Sequence, residues 1–292
     1  MKVAVYGKQF QKDVAPFVLE LFQELEKAQM EILVYEPFYD FLSKQINLNL
    51  FLNTFNSYSE LKNDIDLFVS VGGDGTILDA TTLIRDTEIP IIGVNTGRLG
   101  FLADIAKDEI QKTIKQLVNK RYTIDRRTLL KLETEEPIFG ELNFALNEVT
   151  ISRKDTTSMI TITTYINDQY LNSYWADGLI ISTPTGSTGY SLSCGGPIVM
   201  PGSNNFIITP IAPHNLNVRP LVISDEYEVK VKVEGRANQF LVALDSRIQT
   251  IDAGVELTIK KEDFKINMIE TETQDFASTL RNKLLWGLDK RN

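Results

Sequence analysis

Cysteine and histidine are almost missing from this sequence of 292 residues, where Cys194 and His214 stand alone. One thiol cannot form an intrachain disulfide or a cysteine zinc site. One imidazole excludes a multi-histidine metal centre and weakens any His-based triad. Positive charge is also scarce: 30 Lys and Arg face 39 Asp and Glu, for a formal charge of −9. The chain therefore lacks the basic face of a general nucleic-acid or membrane-surface binder, and neither partner is expected. Local Arg and Lys could still hold a phosphorylated metabolite. No apolar run approaches the roughly 20 residues of a membrane span. Met1-Lys2-Val3-Ala4-Val5-Tyr6-Gly7 reads as a first strand rather than a signal peptide, so a cytoplasmic protein is expected. Internal repeats and low-complexity tracts are absent too.

What is present is an ordinary globular apolar fraction, 43%, over a length that suggests about two domains. The first part alternates strand and helix. Strands are expected at Val3–Tyr6, Glu31–Tyr35, Leu67–Val71 and Pro90–Val94. Helices are expected at Asp13–Met30, Thr76–Arg85 and Lys107–Val118, with a helix or loop at Tyr39–Leu50. This alternation implies βαβ units in a doubly wound, Rossmann-like parallel sheet, with ligands at the carboxyl ends of its strands. From about Tyr122 the texture becomes β-rich. Strand-like runs lie at 128–133, 144–151, 159–166, 178–182, 206–211, 226–234, 239–244 and 255–260. Thr279–Leu288 is helical in pattern again and is expected to return to the first domain. The division is then an α/β domain over 1–121, a β-sandwich-like domain over 122–268 and a helical return segment over 269–292.

Four segments carry chemistry. In the first, an apolar run stops in Gly72-Gly73-Asp74-Gly75-Thr76. Glycines there let backbone N–H groups approach a ligand, and the helix that follows favours anions at its N-terminus. It is neither a Gly-Lys-Ser/Thr phosphate loop nor Gly-x-Gly-x-x-Gly. Asp74 repels phosphate, so its presence needs a reason: proton abstraction from a hydroxyl or metal binding during phosphoryl transfer, or an Asx-type bond to the backbone. A second Gly-rich turn, Asn95-Thr96-Gly97-Arg98-Leu99-Gly100, also falls at a strand end.

The second segment runs from Asp177 to Pro197 and packs hydroxyls and glycines behind Leu179-Ile180-Ile181. Such a loop suits ribose and phosphate groups better than it suits a linker. The third is Asn147-Glu148 within Leu146–Ile151. Neighbouring strand residues face opposite ways, so the pair serves one ligand only if a bulge or strand end lies there. The fourth is the proline-marked loop Thr209–Leu216 with Arg219-Pro220. A lone His214 is more often a structural residue than a base, and Arg219, like Arg98, is a candidate for phosphate or for an ion pair.

Taken together, these segments resemble the NAD kinase family in order and spacing over most of residues 66–260. Gly-Gly-Asp-Gly-Thr is shared with lipid kinases and phosphofructokinase, whereas Ser182-Thr183-Pro184-Thr185-Gly186-Ser187-Thr188-Gly189-Tyr190 is far more specific. The resemblance implies ATP-dependent phosphorylation of the 2′-hydroxyl of the adenosine ribose of NAD, with Asp74 as general base and Mg²⁺ accompanying ATP. It implies that Gly75 passes close to NAD, that Asn147 and Glu148 hold the dinucleotide and that Asp177 meets a ribose or the nicotinamide end. Thr188, Gly189, Tyr190, Ser191, Leu192 and Ser193 would line the adenine and ribose site, with Ala212 near it. No residues for the metal are implied. A homodimer or homotetramer is expected. The chain departs from the common pattern at Trp175, where a basic residue is frequent, at Gly189 for alanine, at Ala212 for cysteine and at Lys8 for asparagine. Asp245-Ser246-Arg247 stands in place of an Asp-Gly-Gln/Glu. Trp175 and Arg247 thus bear on the choice between NAD and NADH and on sensitivity to NADP.

Overall fold

Strands that are apolar on both faces must be covered on both sides, and the first stretch of chain does this with helices. The computed structural model describes residues 1–46, 52–62, 65–97, 100–103, 105–106, 109–154, 158–272 and 275–285. Two units form, Met1–Arg126 with Ile266–Asn292, and Arg127–Lys265. In the first, the order is β1 (Lys2–Gly7), α1 (Ala15–Lys27), β2 (Glu31–Tyr35), α2 (Glu36–Gln45), β3 (Asn53–Phe55) and α3 (Tyr58–Leu61). Then come β4 (Leu67–Gly72), α4 (Asp74–Ile84), β5 (Ile91–Asn95) and α5 (Ile110–Val118). The strands lie β3-β2-β1-β4-β5 and all pair in parallel. A much later strand joins β5 in parallel at Met268 and Ile91. Val18, Leu21, Phe22 and Leu25 form the buried stripe of α1 and pack with Val3, Val5 and Val34. Because β1 lies between β2 and β4, the strand order reverses there, which opens a crevice at the carboxyl ends.

The second unit is antiparallel. It starts within β6 (Tyr122–Glu133) and continues with β7 (Phe144–Ala145), β8 (Glu148–Arg153), β9 (Ile160–Ile166), β10 (Gln169–Ala176) and β11 (Gly178–Ser182). After a 3-10 turn at Thr185–Thr188 come the single-turn α6 (Tyr190–Ser193), β12 (Asn205–Ile211), β13 (Leu221–Ser224), β14 (Val229–Glu234), β15 (Gln239–Leu244), β16 (Arg247–Asp252) and β17 (Glu256–Thr271). One sheet runs β13-β12-β11-β8-β15-β16, and the other carries β10-β9-β14 and the start of β17. Val149, Ile151, Leu179 and Ile181 of the first sheet share a core with Ile160, Ile162, Val229 and Val231 of the second. β17 ends in the first unit, where α7 (Phe276–Leu284) follows. Asp275 caps α7 through a reciprocal capping box with Ser278. Phe276 and Lys283 both lie against the Phe101 ring. No helix among the described residues is long and apolar enough to cross a membrane.

The α/β first part, the β-rich second part and the terminal helix follow the sequence pattern. Its boundaries shift in instructive ways. The helix of the glycine turn starts at Asp74, two residues earlier than the apolar pattern shows. Pro37 in the first turn starts α2 at Glu36 rather than Tyr39. The expected strand over 144–151 breaks after Ala145 and restarts at Glu148. Edge strands β10 and β16 lack an alternating apolar signal because most of their side chains are exposed or half-exposed. Residues 47–50, 98, 99, 107, 108 and 286–288, which the sequence reading includes in elements or turns, lie outside the described residues.

Candidate active site

In the first unit, the apolar β4 ends at Gly72, whose partner across the sheet is Asn95 of β5. Gly73 caps α4 in an extended conformation, and the Thr76 amide donates to its carbonyl. Asp74 is therefore the first residue of α4, and its carboxylate faces the 100–103 turn. Phe101 N–H donates to Oδ2 at 2.9 Å, while Leu102 and Ala103 N–H both donate to Oδ1 at 3.0 Å. A carboxylate offers about four acceptor positions, so three are used and one is left, on Oδ2. The Asx-type reading named the right kind of bond and the wrong partners, which lie 27 to 29 residues away. Gly100 is part of the device: a Cβ there would sit 1.8 Å from Asp74 Oδ1. Buried Asn95 braces the same turn, donating to Ala103 O and accepting from Gly97 N–H. Cβ atoms added at Gly73 or Gly75 would meet nothing within 4 Å. Those two glycines leave the face of the turn open to a ligand.

The second unit repeats the motif with other residues. Asp245 opens the two-residue turn between β15 and β16 at φ +53°. Its carboxylate accepts from Leu146 N–H at 2.8 Å on Oδ2, and from Asn147 N–H at 2.9 Å and Glu148 N–H at 3.1 Å on Oδ1. These bonds hold the corner between β7 and β8, the strand end that Asn147 and Glu148 need in order to serve one ligand. Thr183 locks the corner from the other side, since its N–H donates to Asn147 O and its hydroxyl to Leu146 O. Arg247 donates to the carbonyls of Leu142 and Phe144 and lies over the Phe144 ring, so it braces the corner.

Asn147 Oδ1 and Glu148 Oε2 are buried and find no hydrogen-bond partner among the described residues. Burial, and then the Asp245 carboxyl, pushes the Glu148 carboxyl up to about 8, opposed only by a Tyr190 backbone bond. Burial raises Asp245 as well, but three N–H groups and the Arg247 charge stabilise its ionised form. The proton of the pair therefore sits on Glu148. At neutral pH this side chain is a hydrogen-bond donor as well as an acceptor.

The remaining sequence candidates spread along β11. Gly189 lies against the corner: an added Cβ would be 3.1 Å from Glu148 Oε2. A side chain at this position would thus crowd that carboxyl. Tyr190 is exposed, and its phenol is raised by burial first, with a lesser part from Asp177, which places it within the field of that carboxylate. Ser191 is buried and bonds to Thr209 at 2.8 Å, whereas Ser193 is exposed and Leu192 half-exposed. Thr188 donates to Thr185 O at 3.2 Å. Asp177 pairs with Arg153 at 3.0 Å and donates its N–H to Ile211 O, next to Ala212 at φ +44°. Asn147, Glu148, Gly189 and Tyr190 are thus gathered at the Ser182 end of β11, with Asp177 and Ala212 at its Gly178 end. His214 packs against Trp175 with ring centroids 4.4 Å apart and planes tilted by 45°, and Arg219 Nη1 donates to Leu216 O and Val218 O. Sequence reasoning missed the roles of Asp245, Gly100 and Thr183. The only available signal was an acid in a two-residue turn between strands.

Comparison with known proteins settles the family. The model of the ATP-NAD kinase N-terminal domain matches residues 11–122, and that of the C-terminal domain matches residues 146–271. The chain belongs to the NAD kinase family. An NAD kinase of Flavobacterium psychrophilum is 54% identical over 294 residues, covering 100% of both chains. A crystal structure of an NAD kinase from Archaeoglobus fulgidus in complex with ATP is 28% identical, with TM-score 0.74, covering 97% of both chains. The crystal structure of yeast NADH kinase complexed with NADH shares the fold, with TM-score 0.87 at 24% identity, over 98% of this chain and 88% of the other.

Two outcomes follow for this family member. Gly100→Ala pushes a methyl into Asp74 Oδ1 and is expected to cost about 1–3 kcal/mol, read as a lower urea midpoint. Glu148 binds its proton more tightly in the folded chain than in the unfolded one, where its value is the ordinary 4.5. Stability must then fall as pH rises from about 4.5 to about 8, with a slope of at most about 1.4 kcal/mol per pH unit for this one proton. Glu148→Gln is expected to flatten that decline; an unchanged pH profile of the melting temperature refutes the neutral carboxyl.

Proposed function

We propose that this chain transfers the γ-phosphoryl group of ATP to the 2′-hydroxyl of the adenosine ribose of NAD, giving NADP and ADP, with Asp74 as general base. The observation that supports this assignment is the fixed carboxylate of Asp74 with one acceptor position left, at the N-terminus of α4 and beside the open faces of Gly73 and Gly75. The O2′–Pγ bond forms, the bond from Pγ to the β–γ bridging oxygen breaks, and ADP leaves. A carboxylate is a weak base for a sugar hydroxyl, so it accepts the proton late, as the new P–O bond forms. Its orientation is fixed before substrate arrives, which lowers the cost of reaching the reactive geometry.

In this reading Gly75 lets NAD approach the turn, and Asn147 and Glu148 hold the dinucleotide with the polar atoms that the folded corner leaves unmatched. Protonated Glu148 suits an oxygen acceptor such as a phosphate or a ribose hydroxyl. Asp177 accepts from a ribose or the nicotinamide amide, Thr188 to Ser193 line the adenine and ribose, and Ala212 lies near them. Among the described residues, no group of three or more His, Cys, Asp or Glu is placed to hold a metal. Magnesium is assigned to the nucleotide as Mg-ATP, because the ion prefers phosphate oxygens and retained water to an all-protein cage. We place the protein in the cytoplasm as a homodimer or homotetramer, an assembly that light scattering tests.

Purified protein with Mg²⁺, ATP and either NAD or NADH is expected to form NADP(H), read with an NADP-specific dehydrogenase. Asp74→Asn is expected to lower kcat by about 10²–10⁴. It also turns an N–H against Phe101 N–H, so its stability is compared with that of Gly100→Ala, which disturbs the turn and keeps the carboxylate. If both variants lose turnover in step with their loss of stability, Asp74 is an anchor and not the base. Loss of NAD binding with turnover per bound complex unchanged also sinks the assignment.

A further inference from the structure

A cavity of about 350 Å³ lies along α5 in the first unit, and Lys112, Lys115, Gln116, Asn119, Arg121 and Glu272 line it. That volume falls within the range of small-molecule sites. None of these residues takes part in the turn at Asp74 or in the corner at Asp245. Ile110, Ile114 and Leu117 enter the core with Val18 and Leu21 of α1, which leaves Lys112, Lys115 and Asn119 exposed.

The fold does not explain Gln116. It is only 8% exposed, yet its Oε1 finds no hydrogen-bond partner among the described residues. Methionine has a similar length and helix propensity and no carbonyl to match. A buried acceptor left unmatched destabilises a fold, so a donor from outside the chain gives glutamine its reason.

The cations are an independent observation. Lys112, Lys115 and Arg121 have no carboxylate partner among the described residues, in a chain of net charge −9. Cations near a helix C-terminus complement its dipole, but here the last carbonyls are matched within the chain. Lys115 O accepts from Asn119 N–H and Nδ2, Gln116 O from Arg121 N–H and Leu117 O from Lys120 N–H. The negative end of α5 is thus capped and opposes an anion beside the three cations only weakly.

The mixture of groups sets the ligand chemistry. Three unpaired cations suit an anion of about two charges, which a phosphate monoester carries at neutral pH and a single carboxylate does not. The Arg121 fork can hold phosphate through two parallel N–H donors. Gln116 Oε1 and the Glu272 carboxylate are acceptors, so the ligand must also bring O–H donors. A bare polyphosphate lacks them, and Glu272 repels it. We propose that this cavity binds a phosphate monoester with free hydroxyl groups. Its phosphate meets Lys112, Lys115 and Arg121, and its hydroxyls meet Gln116 and Glu272. The assignment does not depend on the kinase reading.

Calorimetry with ribose 5-phosphate is expected to show a single site per chain, at least about fivefold tighter than for inorganic phosphate. Lys115→Ala and Arg121→Ala, at exposed positions, are each expected to weaken it about tenfold with unchanged melting curves. Gln116→Met is expected to melt no lower than the parent, since an unmatched acceptor leaves the interior, and to bind ribose 5-phosphate no better than inorganic phosphate. AMP is titrated beside ribose 5-phosphate. Whichever binds tighter, the site is supported, and the order tells a nucleotide from a sugar phosphate. No binding of either, or affinities unchanged in all three variants, overturns the site. Citrate bound as tightly as ribose 5-phosphate overturns the phosphate monoester. Asn147→Ala, in the corner of the second unit, is expected to leave the affinity unchanged. A loss there places the ligand in the dinucleotide site and overturns the assignment to α5.

Discussion

A carboxylate that accepts three consecutive backbone N–H groups holds the critical turn of each unit. Asp74 does so for Phe101, Leu102 and Ala103, and Asp245 for Leu146, Asn147 and Glu148. Consecutive amides can converge on one anion only when the backbone curls around it, so the acid selects the shape of the turn. Without the acid, three donors would be left aimed at one point, each costing about 1–3 kcal/mol if buried and unmatched. The acid and its turn are far apart in sequence, so each bond set also ties distant chain into one rigid corner. Such corners suit a site in which a shift of an ångström is costly.

The two carboxylates then differ in what they do for a substrate. Asp74 keeps an acceptor position, while Asp245 is enclosed and acts through the corner it holds. Its negative charge still reaches the ligand face, because it helps to keep the proton on Glu148. A neutral Glu148 is better placed next to phosphate oxygens than an ionised one, since it can donate to them and does not repel them. A chain with an excess of acidic residues can in this way present hydrogen-bond donors to a polyanionic substrate.

Much of this was legible in the sequence. Apolar runs that stop in glycine gave the parallel strands and the ligand end of the sheet. The hydroxyl-rich run after Leu179-Ile180-Ile181 is no loose linker: Thr183 bonds to Leu146 O and Ser191 to Thr209 in the folded chain. Asn147-Glu148 was readable only as a conditional, a pair that needs a strand end, and the break between β7 and β8 supplies it. The cause of that break is Asp245, nearly a hundred residues away, and no local periodicity encodes such a bond. The same holds for Gly100, whose need for a missing Cβ arises from Asp74 across the turn. Arg247 looked like a change in ligand preference; in the fold its guanidinium meets backbone carbonyls. Edge strands escaped notice because exposed residues leave no alternating signal.

The glycines separate into two groups by what a Cβ would strike. Where it strikes the protein, as at Gly100 against Asp74, the fold alone accounts for the residue. Where it strikes nothing, as at Gly75 in the first turn of α4, the fold gives no reason for glycine, and other residues do as well or better there; Gly73 is the N-cap, a position that glycine takes readily. Glycine costs about 1 kcal/mol in a helix relative to alanine, so its presence points to something outside the folded chain that needs the space. A phosphate at the N-terminus of α4 is such a thing: it must reach the backbone N–H groups themselves, and a methyl would stand in its way. The proposed phosphoryl transfer rests on these two features together: room for an anion at the open glycine, and beside it a carboxylate already oriented by the backbone.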